Sequence, residues 1–419
     1  MAAVVSSLVA AALAASSVSW STANSVATGD QDGPAVAGNR SGRVAVVWED
    51  DRDATDPADD NHSEVFLRVF QDGAPVFEKK LSAGGTSGTN WKHITPDVGM
   101  NDRGDAVVVW AEDPDGNGVF NIAYRVVSPT GSILASATAN ANAAGDQILP
   151  KVAVDPDGTP GNATAVAFTV VWEDVQGSAH TVRAAGFTGA TTRAYEIVAS
   201  QTTGTHHHPD VAVAASGDAT VVWEEDADGN GSFNIGLVRL AKATGAAVLA
   251  RRPANASTAG QQRRPAVAEN FAGDFVVAWE SDHTGSNAVW ARSFTAGAVP
   301  RHPEVQASSG TGAAAPSVGL DDAAAVVVGW TAGGQDGWLR GLNPDGTAAG
   351  RVAPQTFTQT TTGRQDQFAV AVSPWDELTV CYTDDTDGNG SDQVMLGTGG
   401  TGSADSATDV LARLRTAAA

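Results

Sequence analysis

An apolar run ending in an aromatic residue and, in most copies, an acidic one recurs seven times along this chain. The copies are RVAVVWEDD, DAVVVWAED, FTVVWEDV, DATVVWEED, DFVVAWESD, AVVVGWTAG and ELTVCYTDD, marked by Trp48, Trp110, Trp172, Trp223, Trp279, Trp330 and Tyr382. Successive markers lie 51 to 62 residues apart. A unit of that length is one small twisted sheet with two apolar faces, which it cannot cover by itself. Stacked copies cover each other's faces, so the repeat dictates a closed array rather than the two or three unrelated domains that 419 residues would otherwise suggest.

Each copy has the same internal order. A short apolar run follows a proline, as in PAVAG from Pro34, PDVGM from Pro96, PKVAV from Pro150, PDVAV from Pro209, PAVAE from Pro265 and PSVGL from Pro316; the seventh copy has Phe368 at that place. A proline at a strand start removes no ladder hydrogen bond. A Gly/Asp/Asn turn then leads into the tryptophan strand, whose continuous apolar character fits a strand buried on both faces. Third strands follow (EVFLRVFQ from Glu64, FNIAYRVV from Phe120), and then fourth strands such as SILASATA from Ser132. Four short strands per copy, seven times, predicts an all-β seven-bladed β-propeller.

The seventh copy runs from Phe368 to about Gly399 and has only three strands. The segment SVSWSTANSVATGDQDGPAVA from Ser17 matches ILASATANANAAGDQILPKVA from Ile133. Residues 17–24 are therefore expected to supply the outer strand of the last blade. The propeller is placed at 16–399. Residues 1–15 resemble the apolar part of a secretory signal, without its positive start, and 400–419 form a tail with short-helix spacing at Val410, Leu411 and Leu414. No uninterrupted apolar span is long enough for a membrane helix.

The formal charge of −23 disfavours nucleic acid, whose phosphates it repels, and suits cations. The one cysteine, Cys381, allows no intrachain disulfide and reads as a small buried apolar residue.

Three turns after the tryptophan strand place oxygens at alternate positions around a glycine. They are Asp113, Asp115, Asn117; Asp226, Asp228, Asn230; and Asp385, Asp387, Asn389, with Asn121 and Asn234 at the ninth position of the first two. Alternate oxygens around a tight turn can converge on a hard cation. The pattern resembles the DxDxDGxxD calcium loops of integrin-type propellers, with Asn at the fifth and ninth positions and with the loops between second and third strands. That resemblance implies calcium. The same turns also read as plain Asp-Gly and Asn-Gly hairpins. The whole repeat, Q-x-x-P-x-V-A…V-V-x-W…D-G-x-G, resembles those of large secreted bacterial proteins, which implies a secreted or cell-surface protein with adhesive, calcium-dependent relatives.

Seven of the eight histidines fall in segments expected on the face that carries these turns. His206, His208, His93 and the aromatic Trp91 are the residues expected to touch ligand, and His206 with His208 would suit a zinc-type metal, since imidazole does. Gln31, Gln147, Gln262 and Gln365, with His206 in their register, are expected to hydrogen-bond between blades. No nucleophile motif, HExxH, phosphate loop or glycosidase Asp-box is present. The expected function is an exported, calcium-stabilised, monomeric binding module for a glycan or a surface protein, more a binder than an enzyme. An extracellular polysaccharide lyase or glycoside hydrolase, and a surface-assembly scaffold, are the alternatives; fold alone does not separate them.

Overall fold

The computed structural model describes residues 19–53, 63–83, 92–156, 165–309, 312–348, 355–356, 358, 362–373 and 377–400. The expectations for residues 1–15, for the tail after Gly400, and for Trp91 lie outside these. Among the described residues there is no helix, and 28 strands form seven antiparallel sheets of four. The protein is a seven-bladed β-propeller.

Blade 2 shows the plan: inner strand Lys92–Met100, tryptophan strand Ala106–Asp113, third strand Asn121–Val127 and outer strand Ile133–Thr138. The tryptophan strand is buried along nearly its whole length because its two faces meet the two neighbouring blades. Val107, Val109 and Ala111 pack towards blade 3, while Val108 and Trp110 pack towards blade 1. All six marker tryptophans and Tyr382 are almost fully buried. Cys381 beside Tyr382 is buried as expected, and burial pushes its thiol pKa up.

The last blade orders its strands as Ser19–Thr22, Gln393–Gly400, Glu377–Asp385, Arg364–Val372. Ser19 pairs with Thr398 and Thr22 with Met395, so the N-terminal segment closes the ring as the matching sequences required. Trp20 covers Gly397, where a Cβ would sit 2.5 Å from the indole, and meets Tyr382 edge-on at 5.7 Å. Asn24 then accepts from the Val394 amide at 3.0 Å. The same clamp recurs after the outer strands of other blades: Ser82 takes the Val65 amide, Asn140 that of Ile122, Ser200 that of Val182, Asn255 that of Ile235 and Ser308 that of Val289.

Deleting residues 1–26 should leave the 393–400 edge unpaired and expose Tyr382. Aggregation or a clearly lower melting temperature is expected, whereas an unchanged melt would contradict closure. Trp20→Ala alone should cost roughly 1–3 kcal/mol, less than a fully buried tryptophan because Trp20 is half-buried.

Candidate functional site

The inner strands surround an axial well of about 460 Å³, lined by residues from all seven blades. Its mouth is set by a repeated backbone feature. Each inner strand slips register around the proline, between Ile94 and Asp97 in blade 2, between His207 and Asp210 in blade 4, and at the same place in the rest. The residue ahead of the proline (of Phe368 in the seventh blade) is left-handed every time. These residues are Gly33, Thr95, Leu149, His208, Arg264, Ala315 and Gln367, with φ between 46° and 57°. Only the first is glycine, so six positions carry left-handed strain of about 1–3 kcal/mol each.

Neighbouring blades offset that strain. The glutamate after the tryptophan reaches the left-handed amide of the next blade: Thr95 N donates to Glu49 at 2.7 Å, Arg264 N to Glu224 at 2.7 Å, Ala315 N to Glu280 at 2.8 Å and His208 N to Glu173 at 3.3 Å. The amide of Gly33 donates to Gln367 across the closure.

One step deeper, the residue after the proline in blades 2, 4 and 6 joins its blade to the next. Asp97 accepts from Val152 N, Asp210 from Val267 N and Ser317 from Val370 N, at 2.7 to 2.9 Å. Lys151 lies between the two acids, 3.5 Å from Asp97, and its pKa is raised chiefly by that carboxylate. Burial pushes the Asp97 carboxyl up and the Asp210 carboxyl up to about 6, with Lys151 pulling both back.

The far end is occupied by Arg40 of blade 1. Its guanidinium lies 3.9 Å over the Phe271 ring of blade 5 and reaches Asp322 of blade 6 at 3.1 Å and Asp102 of blade 2 at 3.5 Å. A side chain touching all three lies across the axis. The well is therefore open towards the face of the acidic turns and obstructed at the other.

The sequence-predicted residues divide. His208 lines the well, 2.9 Å from Glu224. His93 and His206 are buried instead, with ring nitrogens 3.0 Å from the carbonyls of Ser63 and Thr203. They occupy the place of Gln31, Gln147, Gln262 and Gln365, each of which donates to the carbonyl three residues earlier in the interblade connection. Burial keeps the His93 and His206 rings out of the well, against the expectation of ligand contact, and the expected pair is split between a buried interblade position, His206, and the well, His208. Plain alternation would put His206 and His208 on one face, but the left-handed backbone at His208 and the register slip between His207 and Asp210 break it. His302 lies elsewhere, buried, accepting from Ser293 N through Nε2.

The acidic turns stand on the open face. In the first, Asp113 and Asp115 both accept from Asn117 N, at 3.1 and 3.3 Å, and Asp113 also takes Gly118 N. Asp226 and Asp228 repeat this on Asn230 N, and Asp387 takes Asn389 N while Asp385 takes Gly390 N. The side-chain oxygens of Asn117, Asn230 and Asn389 face the amide two residues on. Asn121 and Asn234 accept instead from Asn140 and Asn255, the outer-strand clamps. Each turn thus gathers its two carboxylates, while the ninth-position amides serve the blade.

Two groups missed in the sequence have donor atoms mutually within 4.8 Å. One is Glu173, His180 and His207; the other is Asp30, Asp32 and Asp392 at the ring closure, where Arg364 pairs with Asp392 and burial pushes Asp32 up to about 8. The first was hidden because its members come from three strands of two blades.

Neither a family model nor a curated protein sequence matches this chain. Among solved structures it is similar to an α-L-arabinofuranosidase from Fusarium graminearum in complex with an iminosugar inhibitor (TM-score 0.52, 12% identity, 75% of this chain and 94% of that one). It is also similar to a Penicillium chrysogenum α-L-arabinanase complexed with arabinobiose (TM-score 0.50, 11% identity, 74% and 94%). A Dyadobacter fermentans protein of unknown function is a third (TM-score 0.51, 11% identity, 74% and 94%). At such identity these show a shared propeller fold.

The Asp210 shift has a defined sign. An acid whose folded pKa lies above its ordinary 3.8 holds its proton more tightly when folded. Its contribution therefore falls as pH rises from about 4 to about 6 and stays unfavourable above. Asp210→Asn keeps an oxygen for the Val267 amide and removes the charge. Its melting temperature should exceed that of the parent at pH 7.5 and match it near pH 4. A lower value at pH 7.5 would show that pairing with Lys151 outweighs burial.

Proposed function

We propose that this chain is an exported binding module that takes a hydroxylated ligand, a glycan, into the axial well from the face carrying the acidic turns. One observation carries the reading: the well opens on one side only and its mouth is a ring of seven different residues on a common backbone. Its volume lies within the roughly 300–1,000 Å³ of small-molecule sites. Asp97, Asp210, Lys151, Ser317, His208, Arg264 and Gln367 offer donors and acceptors, and Phe368 an apolar face, which together suit a sugar. Propellers solved with arabinobiose and an iminosugar add a weaker support, that this fold can hold such ligands. The apolar stretch at 2–15 and the acidic composition support export. Among the described residues no helix is long and apolar enough to cross a membrane.

Calorimetric titration with soluble oligosaccharides, guided by a glycan array, tests this. Arg264→Ala with Gln367→Ala should weaken binding at least tenfold without lowering the melting temperature by more than a few degrees. Unchanged affinity would remove the well from the binding surface.

An enzymatic reading has one observation in its favour. Asp97 and Asp210 flank Lys151 inside the well, and a carboxyl pushed up to about 6 is suited to proton transfer near neutral pH. Sugar release from a polysaccharide, lost in Asp210→Asn, would replace the binding module with a glycoside-cleaving enzyme.

Calcium at the turns belongs to the same proposal. Two carboxylates sharing one amide repel each other, and a divalent cation between them would relieve this. Bound calcium would stabilise the fold by about 2.7–4.1 kcal/mol at 100 to 1,000 times its dissociation constant. Chelation should lower the melting temperature, and Asp115→Ala should remove one equivalent of ion. No calcium by elemental analysis and no chelator effect would leave the turns as hairpins.

A further inference from the structure

We propose that Glu173, His180 and His207 form a site for a zinc-class divalent metal ion at the rim of the propeller's open face, distinct from the acidic turns. The three side chains come from three strands. Glu173 stands on the tryptophan strand Phe168–Gln176 of blade 3, His180 on the next strand Ala179–Gly189, and His207 on the inner strand Thr205–Val213 of blade 4. Both imidazoles direct Nδ1 at the same carboxylate oxygen, His180 at 2.7 Å and His207 at 2.8 Å. Their rings are 4.6 Å apart and inclined at 63°, so they converge without stacking.

The support around these donors is built in. Glu173 is 4% exposed, and its second oxygen accepts from the left-handed His208 amide at 3.3 Å. One oxygen is thus fixed by backbone and the other left to the imidazoles. His207 also lies 5.8 Å from the Phe233 ring, which restricts its rotation. The imidazoles are 28% and 24% exposed, which gives an ion a way in and leaves coordination positions open.

The donor set selects the ion. Two imidazoles with one carboxylate is a borderline ligand set, matched to zinc and its neighbours rather than to calcium or magnesium. Metal–nitrogen and metal–oxygen distances near 2.0–2.2 Å need donor atoms about 3.3–3.5 Å apart in a tetrahedral arrangement. The group already lies within 4.8 Å, with the carboxylate oxygen closer than that to both nitrogens. Opening the two hydrogen bonds by about half an ångström and inserting the ion between the donors completes three ligands. With three protein ligands and two partly exposed imidazoles, a fourth position is left for water or for a hydroxyl or carboxylate of a bound molecule.

The test needs no knowledge of that molecule. The full chain without an affinity tag is stripped with chelator and dialysed against zinc, and separately titrated with cobalt while its visible absorption is followed. One equivalent of zinc with micromolar or tighter affinity is expected, together with cobalt bands of a four- or five-coordinate centre. His180→Ala and His207→Ala should each weaken binding at least 100-fold. Glu173→Gln, which preserves shape and removes charge, should weaken it tenfold or more. Circular dichroism melts identify any variant that fails to fold; His180, the more exposed histidine, is the variant least exposed to that failure. Less than half an equivalent bound at 100 µM zinc would overturn the site. So would binding that survives His180→Ala and His207→Ala together, or that is lost only in His208→Ala. Loss of zinc binding with glycan affinity intact, or the reverse, separates this site from the well.

Discussion

Among the described residues no strand ladder joins one blade to the next, so side chains and single backbone hydrogen bonds at the blade connections carry the ring. Burial supplies most of the adhesion: each tryptophan strand fills the space between two sheets, and the marker tryptophans sit there without solvent. Burial is non-directional and would tolerate blades sliding past one another. The carboxylate bridges are directional. A glutamate that must reach one left-handed amide on the next blade fixes both the angle and the height of that blade, because a buried carboxylate such as Glu173, Glu224 or Glu280 is costly to leave without its charge-assisted hydrogen bond.

The same bridge explains why the mouth of the well can vary. The turn at the proline is held by the register slip in every blade and by a backbone-amide bridge at Gly33, Thr95, His208, Arg264 and Ala315, neither of which depends on the side chain at that position. Threonine, leucine, histidine, arginine, alanine and glutamine all occupy it with nearly the same φ. A position whose conformation is fixed from outside is free to carry ligand-specific chemistry, as loops on a rigid scaffold do. Arg40 makes the far end unlike the near one. By spanning blades 2, 5 and 6 it converts a channel into a well, so access to the axis is confined to the face that also carries the acidic turns.

The fold was legible because it is repeated. One tryptophan strand proves little, but seven at even spacing leave little choice, and the match of Ser17 onward with Ile133 onward located the closing strand. The site was legible only where it shares that register. His206 aligned with Gln147 and Gln262, which marked it as structural, yet the polarity of three adjacent histidines argued the other way. The left-handed residues could not be read at all, since six different side chains adopt a backbone normally betrayed by glycine. Glu173, His180 and His207 were equally hidden. The first two meet through a hairpin, but the third arrives from the next blade through a register slip that sequence does not encode.

The acidic charge and the cationic residues of the axis fit one physical picture. Burial raises the cost of a carboxylate here and nearby carboxylates add to it, so Asp32 is pushed up to about 8 and holds its proton at neutral pH, while Asp210, pushed up to about 6, is largely ionised there at a cost. Lys151 and Arg264 are placed on the axis, where the field from seven acidic blades adds, and a cation there is worth more than one on the rim. A ligand with both a hydroxylated body and an acidic group would meet two cations at the axis, Lys151 beside Asp97 and Arg264 beside Glu280. A neutral sugar would be held by hydrogen bonds alone. Salt should therefore weaken binding of an acidic oligosaccharide more than that of its neutral counterpart, a contrast set by the position of two side chains rather than by net charge.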